Sequence, residues 1–557
     1  MERKLILGPL LRYTGQTDAT LWVETDAACK VEVRVDGETH GSETFHVYGH
    51  HYALVRVEGL APGGTYEYEV TLDGEKIWPE QEAARQFPPP VIRTFEPEKV
   101  FRLAFGSCRV ALPNTPPYTL SADEDENGHG PDALYALARK MRREDIEKWP
   151  DALLMLGDQI YADEVSPGTR EFIDSRRKEG GPPMDQVADF EEYTHLYKDA
   201  WQDPTIRWLL STLPTAMIFD DHDVNDDWNI SRDWVEMMRK KPWWQERIVG
   251  GFMSYWIYQH LGNLSPEELE EDEMYRRVRE SEDASQALRE FAYKADRETS
   301  GTRWSFHRDF GRTRLIVVDS RAGRVLKNGR RLMVDDKEWR WIEEKAAGDF
   351  DHLLLGTSLP FLMPPGLHHF EAWNEAVCDG AWGKSAARLG EKLRQAADLE
   401  HWSAFHESFD ALTNLLEAIA TGEHSGGHPP ASIVLLSGDV HHGYLAKAEF
   451  GNGSRARSAV YQAVCSPLRN QLGRPERIGL GSGWTKPGEV IGKVLSRLAG
   501  VKDPSVSWRL THEKPWFDNH VSTVELAGRE ARLGVDGTTD GDEKNPCLRR
   551  IFEHRLA

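Results

Sequence analysis

Four short stretches of this sequence concentrate side chains that bind cations and move protons. They are Gly106-Ser107-Cys108-Arg109, Gly157-Asp158-Gln159-Ile160-Tyr161-Ala162-Asp163, Asp220-Asp221-His222-Asp223 and Ser437-Gly438-Asp439-Val440-His441-His442. Carboxylates gathered in one place raise one another's pKa unless a cation neutralises them, so a convergence of these stretches points to metal. Hard ions take carboxylate, phenolate and imidazole ligands, and a thiolate adds a softer contact. A pair of ions ~3.5–4 Å apart can clamp a phosphoryl oxygen and activate a water as nucleophile. His222, set between two acids, is a natural proton donor to a departing alkoxide. Arg109 has two readings: its fork can hold a substrate phosphate, or it can pair with one of the many acids.

Each stretch follows a short apolar run, and the runs are the elements that must position it. They are Arg102-Leu103-Ala104-Phe105, Ala152-Leu153-Leu154-Met155-Leu156, Ala216-Met217-Ile218-Phe219 and Ile433-Val434-Leu435-Leu436, joined by Leu315-Ile316-Val317-Val318 and Leu353-Leu354-Leu355. All are short enough for strands and apolar on both faces, as when helices cover a sheet. Ligands of open sheets bind beyond the carboxyl ends of strands, so four such turns can meet at one site. Residues 132–149 and 335–347 read as intervening helices, and the acidic stretch 266–290 as a solvated helical insertion. Residues 121–130 read as an exposed loop, and 490–498 as either a segment that docks a partner or covers the site or an ordinary amphipathic helix. The expected fold is therefore α/β (α+β layered), with central β-sheets flanked by helices.

The first 95 residues have a different pattern. Thr20–Glu24, Val31–Val35 and Tyr52–Val57 alternate in the manner of half-buried strands, and Thr65–Val70 carries alternating aromatics. Several short strands in so little chain predict a fibronectin- or immunoglobulin-like β-sandwich over residues 1–95. Pro88-Pro89-Pro90 and Glu96-Pro97 mark a linker, and a second domain is expected over 99–557.

With 557 residues, 39% hydrophobic and 29% charged, the composition is that of a globular protein with two domains. Acidic residues outnumber basic ones by 91 to 68, and this field repels a phosphate backbone, so broad nucleic-acid binding is not expected. It does not forbid a phosphorylated substrate, because bound metal reverses the local sign. The five cysteines are scattered, with no disulfide framework and no paired-cysteine zinc motif. The chain enters strand-like sequence at once, without an apolar signal segment, a twin-arginine motif or a run of ~20 apolar residues. A cytoplasmic location is the expectation.

Taken together, FGSC at 105–108, GDQIYAD at 157–163, DDHDVND at 220–226, VVDSR at 317–321 and SGDVHHGY at 437–444 resemble the PhoD-like phosphatases, the alkaline phosphatase D family of the calcineurin-like metallophosphoesterase superfamily. With the N-terminal sandwich, the resemblance covers nearly the whole chain. It implies a metal cluster, in that family iron with calcium, with Cys108, Asp158 and Tyr161 as iron ligands and Asp158 as the bridging carboxylate. Asp221 stands where related enzymes place the Asn of a GNHE motif and is expected to bind a second metal. His222 is similar to the histidine that protonates the leaving group. Asp439 and His441 match the two ligand positions of GHxH, with Asp replacing the first His. Two features depart from the wider superfamily: Cys108 replaces its usual Asp-x-His, and Gly356-Thr357-Ser358 lacks the histidine that many relatives have there.

The expected activity is metal-dependent hydrolysis of phosphate esters, monoesters or diesters, by a metal-activated hydroxide, with His222 assisting departure. Asp163, Asn225 and His442 are expected behind the ligands, and Arg321 to orient loops by pairing with a carboxylate. The alternative is a non-catalytic, metal-containing scaffold whose sandwich recognises a partner. The intact set of acids and histidines speaks against it.

Overall fold

The computed structural model describes residues 3–557 except 178–179, 328, 452 and 540–545. All six apolar runs form strands. Phe101–Gly106, Ala152–Leu156 and Thr215–Ile218 lie parallel in a six-stranded sheet, which His520–Ala527, Glu530–Thr539 and Cys547–Arg555 complete in antiparallel fashion. Thr313–Val318, His352–Thr357, Ser432–Ser437 and Ala459–Val464 run parallel in a seven-stranded sheet. Every residue of Ala152–Leu156 and of Ser432–Ser437 is buried, which accounts for the unbroken apolar runs of the parallel strands.

The N-terminal region obeys the other rule. Lys30–Val35 alternates outward Lys30, Glu32 and Arg34 with buried Val31, Val33 and Val35. Its sheet also holds Glu38–Glu43, Thr65–Leu72, Glu75–Trp78 and Val91–Arg93, and it faces a second sheet of Leu5–Thr14, Ala19–Thr25, His50–Val57 and Phe45–Val47. Ala19–Thr25 is buried along its whole length because it has two interiors to serve. Leu21 and Val23 point into the sandwich, whereas Trp22, with Tyr52 and Leu54, joins the main core of the body. The sandwich is thus docked through one of its own sheets.

Several helical readings change in detail. Residues 132–149 split into a helix, Ala133–Met141, and a short 3-10 turn, Ile146–Lys148. The 266–290 insertion forms Pro266–Glu271, Glu273–Glu280 and Ser285–Arg297, but it is not wholly solvated: Tyr275, Val278 and Leu288 enter the core. Trp243 and Trp244 open the buried helix Trp244–Tyr258. In Lys486–Leu498 the small Gly492 and Ser496 are buried, while Val490, Ile491, Val494 and Leu498 face outward. Among the described residues no helix is long and apolar enough to cross a membrane.

Candidate metal centre

The carboxyl ends of the parallel strands from both sheets meet at one place. Glycines make the approach possible. Gly157 has φ +103°, and a Cβ there would lie 2.5 Å from Cβ of Asp220. A Cβ on Gly438 would meet that of Ser107 at 2.3 Å. The backbone is strained where the chemistry collects: Cys108, Asp158, Asp439 and His441 all have positive φ, between +48° and +66°. Such conformations cost of order 1–3 kcal/mol each and cluster at functional sites.

The structure brings ligand atoms of Cys108, Asp158 and His441 within 4.8 Å of one another, and likewise those of Asp158, Asp220 and Asp221 and those of Asp221, His222 and Asp226. The Cys108 thiol donates to Asp158 Oδ2 at 3.2 Å and lies 3.1 and 3.2 Å from the hydroxyls of Ser107 and Ser466. Burial, then the charges of Asp158 and Asp439, push this thiol well above its ordinary pKa. Asp158 is also raised well above the carboxylate range, first by burial and then by Asp221, Asp220 and Asp223, against the opposing charge of His222. His441 is pulled down to about 4, chiefly by burial, which keeps a neutral imidazole with a lone pair to give. Tyr161 is buried, takes a hydrogen bond from Asn470 Nδ2 at 3.2 Å and is raised by burial, Asp158 and Cys108.

Asp223 is scaffold. Its Oδ2 accepts the backbone N–H groups of Asp158 at 3.0 Å and Asp220 at 2.9 Å, tying two strand ends together. Asp163 accepts from His222 Nδ1 at 2.9 Å and so fixes the ring, while among the described residues Nε2 has only Asp226 Oδ1 nearby, at 3.9 Å, outside hydrogen-bond reach. Burial alone would lower His222, but Asp163, Asp221 and Asp158 hold it well above the ordinary value, in the protonated form. The Tyr161 ring lies 4.7 Å from the imidazole, centroid to centroid.

Two expected residues sit differently. Arg109 is buried and does not wait for a phosphate: Nε and Nη2 engage Asp132 at 3.0 and 2.8 Å, and Nη1 donates to the Ala200 carbonyl at 3.0 Å. Asp132 is the N-cap of Ala133–Met141, so Arg109 anchors a helix start. Asp439 faces two cations, His401 Nε2 at 3.1 Å from Oδ2 and Arg321 Nη2 at 3.5 Å from Oδ1. Burial would raise Asp439, but His401 and Arg321 hold it below its ordinary value. His401 is backed by Glu371 at 2.7 Å on Nδ1. Neither His401 nor Glu371 was legible in the sequence, since both lie far from any strand end; the Glu400-His401 pair is the only local hint. His368 is likewise a core residue, packed on Phe409 and Trp508 from the helix Pro365–Cys378.

A cation fits this donor set. Asp158 Oδ1 and Asp220 Oδ2 are buried with no hydrogen-bond donor among the described residues, and Asp221 Oδ1 meets Arg321 Nη2 at 3.2 Å outside hydrogen-bond geometry. Buried carboxylate oxygens left in this way are costly unless a cation completes them.

Residues 126–321 match the family model described as PhoD-like phosphatase. Over that segment the chain is similar to the PhoD-like phosphatases. The matched segment carries Asp158, Tyr161, Asp221 and His222, while residues 2–92 match a model described as a domain of unknown function, DUF7800. A solved structure titled "Structure of PhoD" superposes with a TM-score of 0.58 over 99% of this chain and 90% of that one, at 12% identity, a likeness of fold. The type III pullulan hydrolase from Thermococcus kodakarensis aligns over 96% of this chain and 94% of its own at 10% identity, but its TM-score of 0.15 carries no argument. No curated protein matches the sequence.

Proposed function

We propose that this PhoD-like chain hydrolyses phosphate esters, monoesters or diesters, at a metal centre held by Cys108, Asp158 and His441 with Tyr161 beside them. The observation that carries the reading is the meeting of these donors at converging strand ends, with buried carboxylate oxygens that lack donors among the described residues. A thiolate, phenolate, imidazole and carboxylate set suits iron. Calcium takes oxygen ligands and would have to use Asp221 and Asp439. A bound cation supplies Lewis acidity, polarising a phosphoryl oxygen and acidifying water.

The protein's own residues do the rest. His222, oriented by Asp163 and protonated, presents Nε2 as the donor to the leaving oxygen. Tyr161 packs on that ring and limits its rotation. Asp223 keeps the Asp158 and Asp220 turns in register. The reading is tested with p-nitrophenyl phosphate and bis(p-nitrophenyl) phosphate. Release of nitrophenol from either supports it, and the ratio ranks monoester against diester. No release from either, with iron and calcium supplied, overturns it.

A further inference from the structure

Arg321 lies at the bottom of the site, fully buried, and its guanidinium is surrounded by acids. Nε pairs with Asp220, Nη1 with Glu400, and Nη2 lies 3.2 Å from Asp221 Oδ1 and 3.5 Å from Asp439 Oδ1. The turn after Thr313–Val318 is built to hold it there. Asp319 accepts the backbone N–H groups of Arg321, Ala322 and Gly323 at 2.8, 2.9 and 2.8 Å, and Asn229 Nδ2 donates to the Arg321 carbonyl at 3.1 Å. Arg324 shares Glu400 from the other side at 3.2 Å.

We infer that the Arg321 guanidinium stands in place of a second metal ion, neutralising Asp220, Asp221 and Asp439 and leaving a single-ion centre at Cys108, Asp158 and His441. The inference rests on the metal reading proposed above and narrows it. Three points carry it. A guanidinium does not lose its proton in a protein, so its positive charge is permanent. Asp221 and Asp439, the two carboxylates that a second ion would need, both face Nη2, and an ion seated between them would lie against that charge. The other oxygen of Asp439 is already engaged by the Glu371-backed imidazole of His401.

The test is a metal count on the purified full-length protein, by elemental analysis and native mass spectrometry, before and after addition of millimolar Ca2+ or Mn2+. The expected result is one tightly held ion per chain, with no second one gained. Two tightly held ions overturn the inference and leave the metal reading standing; no ion at all overturns both. Arg321→Met removes the charge and is expected to bind a second ion, with a thermal midpoint that rises on addition of Ca2+. Arg321→Lys is expected to keep the count at one. A folded Arg321→Met protein that stays at one ion in millimolar Ca2+ and Mn2+ contradicts the role given to Arg321. Should Arg321→Met not fold, the wild-type count decides alone.

Discussion

At the seam between sandwich and body, the buried cation Arg12 donates from Nε to the Thr215 carbonyl at 3.0 Å, from Nη2 to that of Gln259 at 2.8 Å and from Nη1 to that of Tyr258. Among the described residues, at the metal centre, the buried carboxyls of Asp158 and Asp220 each carry an oxygen that no hydrogen-bond donor meets. Both clusters bear charge at a cost, and the cost shows in their pKa shifts. Burial, with Arg308 adding, pulls Arg12 down to about 9, and burial pushes Asp158 and Asp220 well above the carboxylate range. The difference lies in completion. At the seam the protein supplies every partner from its own backbone, even opening space with Gly262, whose Cβ would lie 2.3 Å from Arg12 Cζ. At the strand ends it leaves acceptors open and strains the backbone to aim them. A finished cluster holds structure, and an unfinished one is built to receive something.

Four outcomes would break or sharpen that contrast. The largest is expected for Asp158→Asn, which removes a ligand of the proposed centre: turnover falls by about 10^3-fold or more and metal content drops, while the fold persists. Full activity in that variant would remove the centre assigned here. Next, Arg12→Met orphans three buried carbonyls and is expected to cost about 3 kcal/mol of stability, measured by denaturant unfolding, with metal content unchanged. If it instead lost metal and kept its stability, the two clusters would not be separate.

Third, His222→Ala is expected to keep its metal and lose about 10^2-fold in rate on alkyl esters, with a smaller loss on nitrophenyl esters. Equal losses on both would argue against proton donation. The smallest effect belongs to His50, bonded to Glu24 at 2.8 Å and to Glu191 at 2.9 Å. Burial lowers this histidine, but the two carboxylates prevail and raise it from about 6.5 to about 9. Its contribution is therefore complete below pH 6.5 and is lost as the pH rises through 9. About 2 kcal/mol is at stake, given that Glu191 is partly exposed to solvent. His50→Gln should flatten this part of the stability–pH curve, and an unchanged slope would exclude a contribution from the Glu24–His50–Glu191 pairing.

What could be read beforehand follows the range of the forces involved. Fully buried parallel strands such as Ala152–Leu156 and Ser432–Ser437 declare themselves as apolar runs, and the polar turns after them declare the site. The helix Pro365–Cys378 was hidden by its own start, because Pro364-Pro365 reads as loop although a proline in the first turn suits a helix. His401 and Glu371 gain their roles only through packing across 38 residues to Asp439 and 30 to each other, and no local pattern announces that. Arg109 lies beside Cys108 in sequence, yet its guanidinium is taken by Asp132 and the Ala200 carbonyl, a partnership set by where two helices come to rest.

The account stands or falls most directly on chelation. Purified protein hydrolysing a nitrophenyl ester is stripped of metal, assayed, and assayed again after iron or calcium is restored. Loss of activity on stripping and recovery on restoring, with folding unchanged by circular dichroism, is the predicted result. Undiminished hydrolysis by metal-free protein would contradict the reading of the unfinished acidic cluster as a metal centre.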